Sequence, residues 1–241
     1  MSHTYLPQPS ENLNLLVVST SKIHGSTYMG YLLDEVADFF KGVQEVLFVP
    51  YARPGGISHD GYTEYPRKAF AEIGIAVKGI HEFDNPAKAI TNAQAIFTGG
   101  GNTFLLLKTL YELQLVEPLR QAVKSGTPYM GSSAGSNITG LTVGTTNDMP
   151  IVYPPSFNAL QFLDFNINPH YLDPDPNSTH QGETREKRIN EFHSMNDQAV
   201  LGLREGSWLH VENSSITLKG PHKARLFEKG KVPKEIEVGQ V

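Results

Sequence analysis

Short apolar runs alternate with segments of helical spacing through the first 131 residues, and two of the runs end in glycine-rich turns. This alternation constrains the fold more than any other feature. Residues 13–19, 45–49, 75–80, 95–98 and 127–131 read as strands. Residues 26–40, 62–73, 87–93 and 102–113 read as helices, with Asn102 as an N-cap, and Pro118 sits where a further helix runs to Lys124. Strands and helices in this order argue for a parallel sheet with crossover helices. The strands are continuously apolar rather than alternating, which fits a sheet covered on both faces. After about residue 140 the pattern loosens into proline-rich stretches. A charged helix over 182–192 follows, then strands over 200–203, 207–211, 216–218 and 224–227 that read as β-hairpins. The expected fold class is α/β, a mainly parallel sheet flanked by helices with a small antiparallel C-terminal part. A hydrophobic content of 39% in 241 residues supports one core, so 1–241 reads as a single domain with 1–11 and 231–241 as peripheral tails.

Composition removes several chemistries. The chain has no cysteine, which excludes disulfides, thiolate metal sites and thiol nucleophiles. The net charge is −5 with no Lys/Arg-rich stripe, so nucleic acid is not expected as a partner. No apolar run approaches the roughly 18–20 residues of a membrane span. The first residues lack a basic region followed by an apolar stretch, so a cytoplasmic location is expected. The nine histidines lack the H-E-x-x-H spacing of a helical zinc site, and no metal or other cofactor is expected.

The strongest local signal is Gly131-Ser132-Ser133-Ala134-Gly135. It matches the G-x-S-x-G nucleophile elbow, in which a tight strand-to-helix turn projects the central serine. The bland alternative is a Gly/Ser-rich turn. Gly99-Gly100-Gly101-Asn102 also joins a strand to a helix. It suits an oxyanion hole, a phosphate cradle or merely close helix–strand packing. A serine nucleophile needs a base. Among the histidines, His170 follows Asn168-Pro169 at a strand-to-loop boundary, where functional groups of open α/β sheets gather. Asp148, Asp164, Asp173, Asp175 and Glu205 are the acids open to orient it, each equally readable as a solvated surface acid.

Six ordered segments together resemble peptidase E, the aspartyl dipeptidase family of serine peptidases (family S51). They are Gly99-Gly100-Gly101-Asn102-Thr103-Phe104, Gly131-Ser132-Ser133-Ala134-Gly135-Ser136-Asn137, Thr145-Thr146-Asn147-Asp148-Met149-Pro150-Ile151-Val152, Asn168-Pro169-His170, Gly182-Glu183-Thr184-Arg185-Glu186 and Gly202-Leu203-Arg204-Glu205-Gly206-Ser207-Trp208. The resemblance spans roughly residues 13–230. It implies a fold like the class I glutamine amidotransferases (flavodoxin-like) and hydrolysis of dipeptides with an N-terminal aspartate. It implies Ser133 as nucleophile, His170 as base and Glu205 as orienting acid, with oxyanion N–H groups from Gly101 and Ala134. Arg185 is implied as the partner of the substrate aspartate. Asp148 and Glu183 are candidates for the substrate amino group. The chain departs from the commonest family form at Ser132, where an aromatic residue often stands, and at Ser136, usually Ala. The expectation is that Ser132 alters the pocket beside Ser133.

The implied partner is a small dipeptide, bound by a monomer or homodimer. Residues 171–181, rich in Pro, Asp and Ser, are expected to act as a lid. Rival readings are a cyanophycinase-like hydrolase of aspartate-containing polymers and an inactive binding module of the same fold. A glutamine amidotransferase subunit would need the missing cysteine.

Overall fold

The computed structural model describes residues 6, 7, 9, 13–175, 177, 179 and 182–241. The elements run β1 (Leu15–Val18), α1 (Leu33–Phe39), β2 (Glu45–Val49), α2 (His59–Ala71), β3 (Ala76–Gly79), α3 (Pro86–Thr91), β4 (Ile96–Thr98), α4 (Thr103–Glu112), α5 (Val116–Lys124), β5 (Tyr129–Ser132) and α6 (Ala134–Asn137). They continue with β6 (Asn166–Tyr171), α7 (Arg185–Met195), β7 (Val200–Arg204), β8 (Trp208–Glu212), β9 (Ser215–Lys219), β10 (Ala224–Phe227), β11 (Lys234–Ile236) and β12 (Gly239–Gln240).

The larger sheet has the order β12-β9-β8-β1-β5-β4-β2-β3. Its central strands β1, β5, β4, β2 and β3 are parallel, and β8, β9 and β12 extend it antiparallel. Burial on both faces follows from the sequence of β1. Leu15 and Val17 pack into one apolar cluster, and Leu16 and Val18 into another on the opposite face. All four are fully buried, as a strand between two helical layers requires.

Three expectations change. Helix α1 begins at Leu33 rather than near residue 26. Met29 adopts a positive φ of 57° and donates its N–H to Ser21 O, so the preceding segment is a tied-down loop rather than helix. Its apolar residues still face inward, with Met29 and Leu32 buried. The C-terminal strands do not pair as successive hairpins. β8 and β9 do form one, but β7 and β10 leave for a second sheet of order β11-β10-β7-β6, where β6 and β7 are parallel. Residues 231–241 are not a peripheral tail, because β11 and β12 join the two sheets and Ile236 and Val241 are buried. The N-terminal tail, residues 1–11, lies mostly outside the described residues. Among the described residues no helix is long and apolar enough to cross a membrane.

Candidate active site

The C-terminal ends of β5 and β4 build the first half of the site. Ser133 sits between β5 and α6 at φ 55° and ψ −111°, a sparsely populated conformation for a side chain with a Cβ. Steric fit forces it. A Cβ on Gly131 would lie 2.3 Å from Gly135 O, and one on Gly135 would lie 2.1 Å from Thr98 O. The turn is also tied to β1. Ser133 N–H donates to Val18 O at 3.1 Å, and the Ser136 hydroxyl donates to the same oxygen at 2.6 Å. Ser136 therefore has a structural task. Ser132 is fully buried beneath the elbow.

The glycine run packs directly on the elbow. A Cβ on Gly100 would lie 2.9 Å from the Ser133 Cβ. Gly101 has φ 147°, and a Cβ there would meet Ala52 O at 2.2 Å, so only glycine fits. Tyr62 donates its hydroxyl to Gly100 O at 2.9 Å, and Asn102 N–H donates to Ala52 O at 2.7 Å. Among the described residues the N–H groups of Gly101 and Ala134 meet no acceptor.

The second half comes from β6 and β7. His170 Nε2 lies 2.8 Å from Ser133 Oγ, and His170 Nδ1 lies 2.6 Å from Glu205 Oε1. A carboxylate can only accept, so Nδ1 carries the proton and Nε2 is left to accept from the Ser133 hydroxyl. His170 also has a positive φ of 55°. The β6–β7 register shifts between Pro169 and Tyr171, and this irregularity re-aims the side chain as β-bulges do. Polar contacts hold the bend. Ser19 Oγ accepts from His170 N–H at 3.0 Å and donates to Leu203 O at 2.7 Å. Asn147 Nδ2 donates to Pro169 O at 2.7 Å, and Asn168 Nδ2 donates to Asn147 Oδ1 at 2.9 Å. Glu205 follows β7 and precedes Gly206, whose φ is 85°. Burial pushes the Tyr31 hydroxyl pKa well up, and the negative charge of Glu205 adds to it.

Arg185 opens α7, which Thr184 caps by accepting Lys187 N–H at 3.1 Å. It lines one open cleft of about 550 Å³ with His170, Glu205 and Arg204. Among the described residues its guanidinium makes no hydrogen bond or ion pair. Burial and then neighbouring Arg188 lower its pKa, while Asp148 opposes them. The Asp148 carboxylate is itself held by local hydrogen bonds. Its Oδ2 accepts from Thr103 N–H at 2.7 Å, at the start of α4, and from the Thr146 hydroxyl at 3.1 Å. Glu183 is exposed and pairs with Lys187 at 2.7 Å. The contact holds its carboxyl below the usual range.

Comparison with known proteins gives the lineage. The description "Peptidase family S51" matches residues 15–219. A protein named Peptidase E from Streptomyces coelicolor is 52% identical over 227 residues, covering 94% of this chain and 92% of its own. A probable alpha-aspartyl dipeptidase from Drosophila melanogaster is 48% identical, covering 89% of this chain and 90% of its own. The chain belongs to peptidase family S51. A crystal structure of a peptidase from an acI-B1 Actinobacterium superposes with a TM-score of 0.71 at 17% identity, over 97% of this chain and 98% of that one. A putative Peptidase E from Listeria monocytogenes gives 0.66 at 22%, over 87% and 99%. These two speak to the fold alone.

In this S51 chain the structure gathers Ser133, His170 and Glu205 into one hydrogen-bonded chain, flanked by the glycine loop and Arg185. Of the other histidine and acid candidates, His222 and Asp173 also line this cleft, His180 lies outside the described residues, and several are held by other partners. His81 meets Asp60 at 2.8 Å, buried His193 bonds Gln198 O at 2.9 Å, and Asp173 pairs with Arg204 at 2.8 Å. Asp164 is exposed. Among the described residues no three His, Asp or Glu side chains gather as a metal site. Of the supposed lid, residues 176, 178, 180 and 181 lie outside the described residues. Ser19, Tyr62 and Asn147 support the S51 site and escaped the sequence reading. Asn147 lies inside a matching segment, so it had a signal; Ser19 merely ends a strand.

Proposed function

We propose that this chain is a serine exopeptidase that hydrolyses Asp-Xaa dipeptides through an acyl-enzyme on Ser133. The observation that carries the proposal is the chain Ser133 Oγ–His170 Nε2, His170 Nδ1–Glu205 Oε1, with Arg185 in the same cleft and without a partner among the described residues. His170 takes the Ser133 proton as Oγ attacks the scissile carbonyl, and Glu205 stabilises the resulting imidazolium. The N–H groups of Gly101 and Ala134 receive the developing oxyanion. Losing one such donor typically costs ~2.7–4 kcal/mol. The imidazolium then protonates the leaving amine, and water, activated by His170, releases aspartate and regenerates the Ser133 hydroxyl.

Charge sets the substrate. A planar guanidinium grips a carboxylate bidentately, which assigns the aspartate side chain to Arg185. The substrate ammonium falls to Asp148 rather than Glu183, because Glu183 is occupied by Lys187. The proposal carries a cytoplasmic setting with a small dipeptide as partner, which fractionation of expressing cells tests separately.

Hydrolysis of Asp-Leu, Glu-Leu, Asn-Leu and N-acetyl-Asp-Leu tests the reading. Asp-Leu should be cleaved best, and Ser133→Ala should lower kcat by about 10⁴-fold or more. Turnover surviving in Ser133→Ala would remove the acyl-enzyme, and efficient cleavage of the acetylated peptide would remove the exopeptidase assignment. Arg185→Ala should cut kcat/KM for Asp-Leu by roughly 10²-fold and leave Asn-Leu nearly unchanged. Equal losses on both peptides would assign Arg185 a structural role.

A further inference from the structure

Beside the proposed catalytic groups runs a chain of five alternating charges that the mechanism does not use. Arg204 makes most of its hydrogen bonds. Nε and Nη2 donate to the two oxygens of Asp173, each at 2.8 Å. Nη1 and Nη2 donate to Glu235 at 2.9 and 3.1 Å, and Nη1 also donates to Lys223 O at 2.7 Å. All five guanidinium N–H groups are thus used. The side chain is only 16% exposed, and its guanidinium lies 5.5 Å from the Tyr171 ring centroid. Glu235 is held in turn by Arg225 at 2.9 Å, and Arg225 pairs with Glu186 at 2.9 Å.

Three members of this chain of charges lie one to three residues from a group that the mechanism needs. Asp173 follows His170 by three residues, Arg204 immediately precedes Glu205, and Glu186 immediately follows Arg185. Arg225 and Glu235 lie beyond the stretch that matches the family description, on strands β10 and β11. Strands β10 and β11 are thus tied to the site through this ion-pair chain, while His222, before β10, lines the cleft directly. Such outer contacts orient the groups that touch the substrate.

We propose that Asp173–Arg204–Glu235–Arg225–Glu186 is a positioning clamp with two arms. One arm, Asp173–Arg204, sets His170 against Glu205 and governs turnover. The other, Glu235–Arg225–Glu186, sets the first turn of α7, hence Arg185, and governs capture of the substrate aspartate. The inference rests on the serine dipeptidase reading and adds the residues that keep its base and its specificity group in register. A bidentate fork suits the task, because it fixes orientation as well as distance.

The test separates kcat from KM on the intact chain. Asp173→Asn should lower kcat for Asp-Leu about 5–10-fold and leave KM within about twofold. Arg225→Met should raise KM for Asp-Leu about 5–10-fold, leave kcat within about twofold, and leave KM for Asn-Leu unmoved. Glu186→Gln attacks the same arm from its other end and should reproduce the KM effect if Arg225→Met fails to fold. Arg204→Lys keeps the charge but loses the fork, so it should move both parameters together. Folded Asp173→Asn and Arg225→Met (or Glu186→Gln) variants that change kcat and KM in the same proportion, or neither, overturn the clamp. Absence of Ser133-dependent turnover in the unaltered chain overturns the dipeptidase reading instead, and the clamp's role with it.

Discussion

The two halves of the candidate site are held by different physics. The Ser133 half rests on close backbone packing at the ends of β4 and β5, where Gly131, Gly135 and Gly101 leave no room for a Cβ. The His170 half rests on side-chain hydrogen bonds from distant parts of the chain, with Ser19 lying 151 residues from its partner. Both halves place their key residue at a positive φ, 55° in each case. The strain is alike, but its support is not. Packing against backbone cannot yield, whereas a hydrogen-bonded brace can be loosened one contact at a time.

That difference makes an ordered set of expectations, and the steric half should break hardest. Gly135→Ala drives a Cβ into the Thr98 carbonyl, a backbone atom that no rotamer change can move aside. The elbow must shift, at a cost of about 2–4 kcal/mol in stability. Activity on Asp-Leu should fall by more than about 100-fold, because displacements near 1 Å at a reacting atom already cost that much. Thermal unfolding and steady-state rates check both. A Gly135→Ala chain with native activity would show that the elbow is compliant and erase the contrast.

The polar half should loosen by degrees. Asn147→Ala removes the donor to Pro169 O and the acceptor for Asn168 Nδ2. Losing such bonds should cost about 1–2 kcal/mol of stability. It should lower kcat on Asp-Leu by about tenfold, since the bonds lost are those that hold the backbone beside His170. A loss as large as that of Gly135→Ala would place both halves under one kind of constraint.

The same division decides how much could be read from the sequence. β2 was legible residue for residue, and α4 was legible with its Asn102 cap, because propensity, capping and burial are written within a few neighbouring residues. Ser133 and the glycine loop were legible for the same reason. His170 lies 37 residues from Ser133, and Glu205 a further 35 beyond. Local pattern left several histidines and five acids open, and only the ordered family segments singled these two out. The departure of β7 from β8 into another sheet was likewise hidden, since strand pairing depends on partners far along the chain. Ser19 carries no local mark at all.

The smallest expected effect lies at the outer edge of the polar half and is electrostatic. Hydrogen bonding from Arg204 holds the carboxyl groups of both Asp173 and Glu235 below their ordinary values of 3.8 and 4.5. A carboxyl whose pKa is lowered on folding adds stability above its unfolded pKa, and the gain disappears as pH falls through the folded value. Arg204→Met should therefore be less stable than the unaltered chain at pH 7. The gap should persist down to about pH 4.5 and narrow below it as both carboxyls take protons. Because the Asp173 side chain is 51% exposed, solvent screens much of its share, and the narrowing should be only a small part of the total difference in Tm. Paired melting curves from pH 7 to pH 3 measure it directly. A gap that stays constant across that range would mean that Arg204 acts by packing on Tyr171 alone, and the His170 half would then owe this part of its support to contact rather than charge.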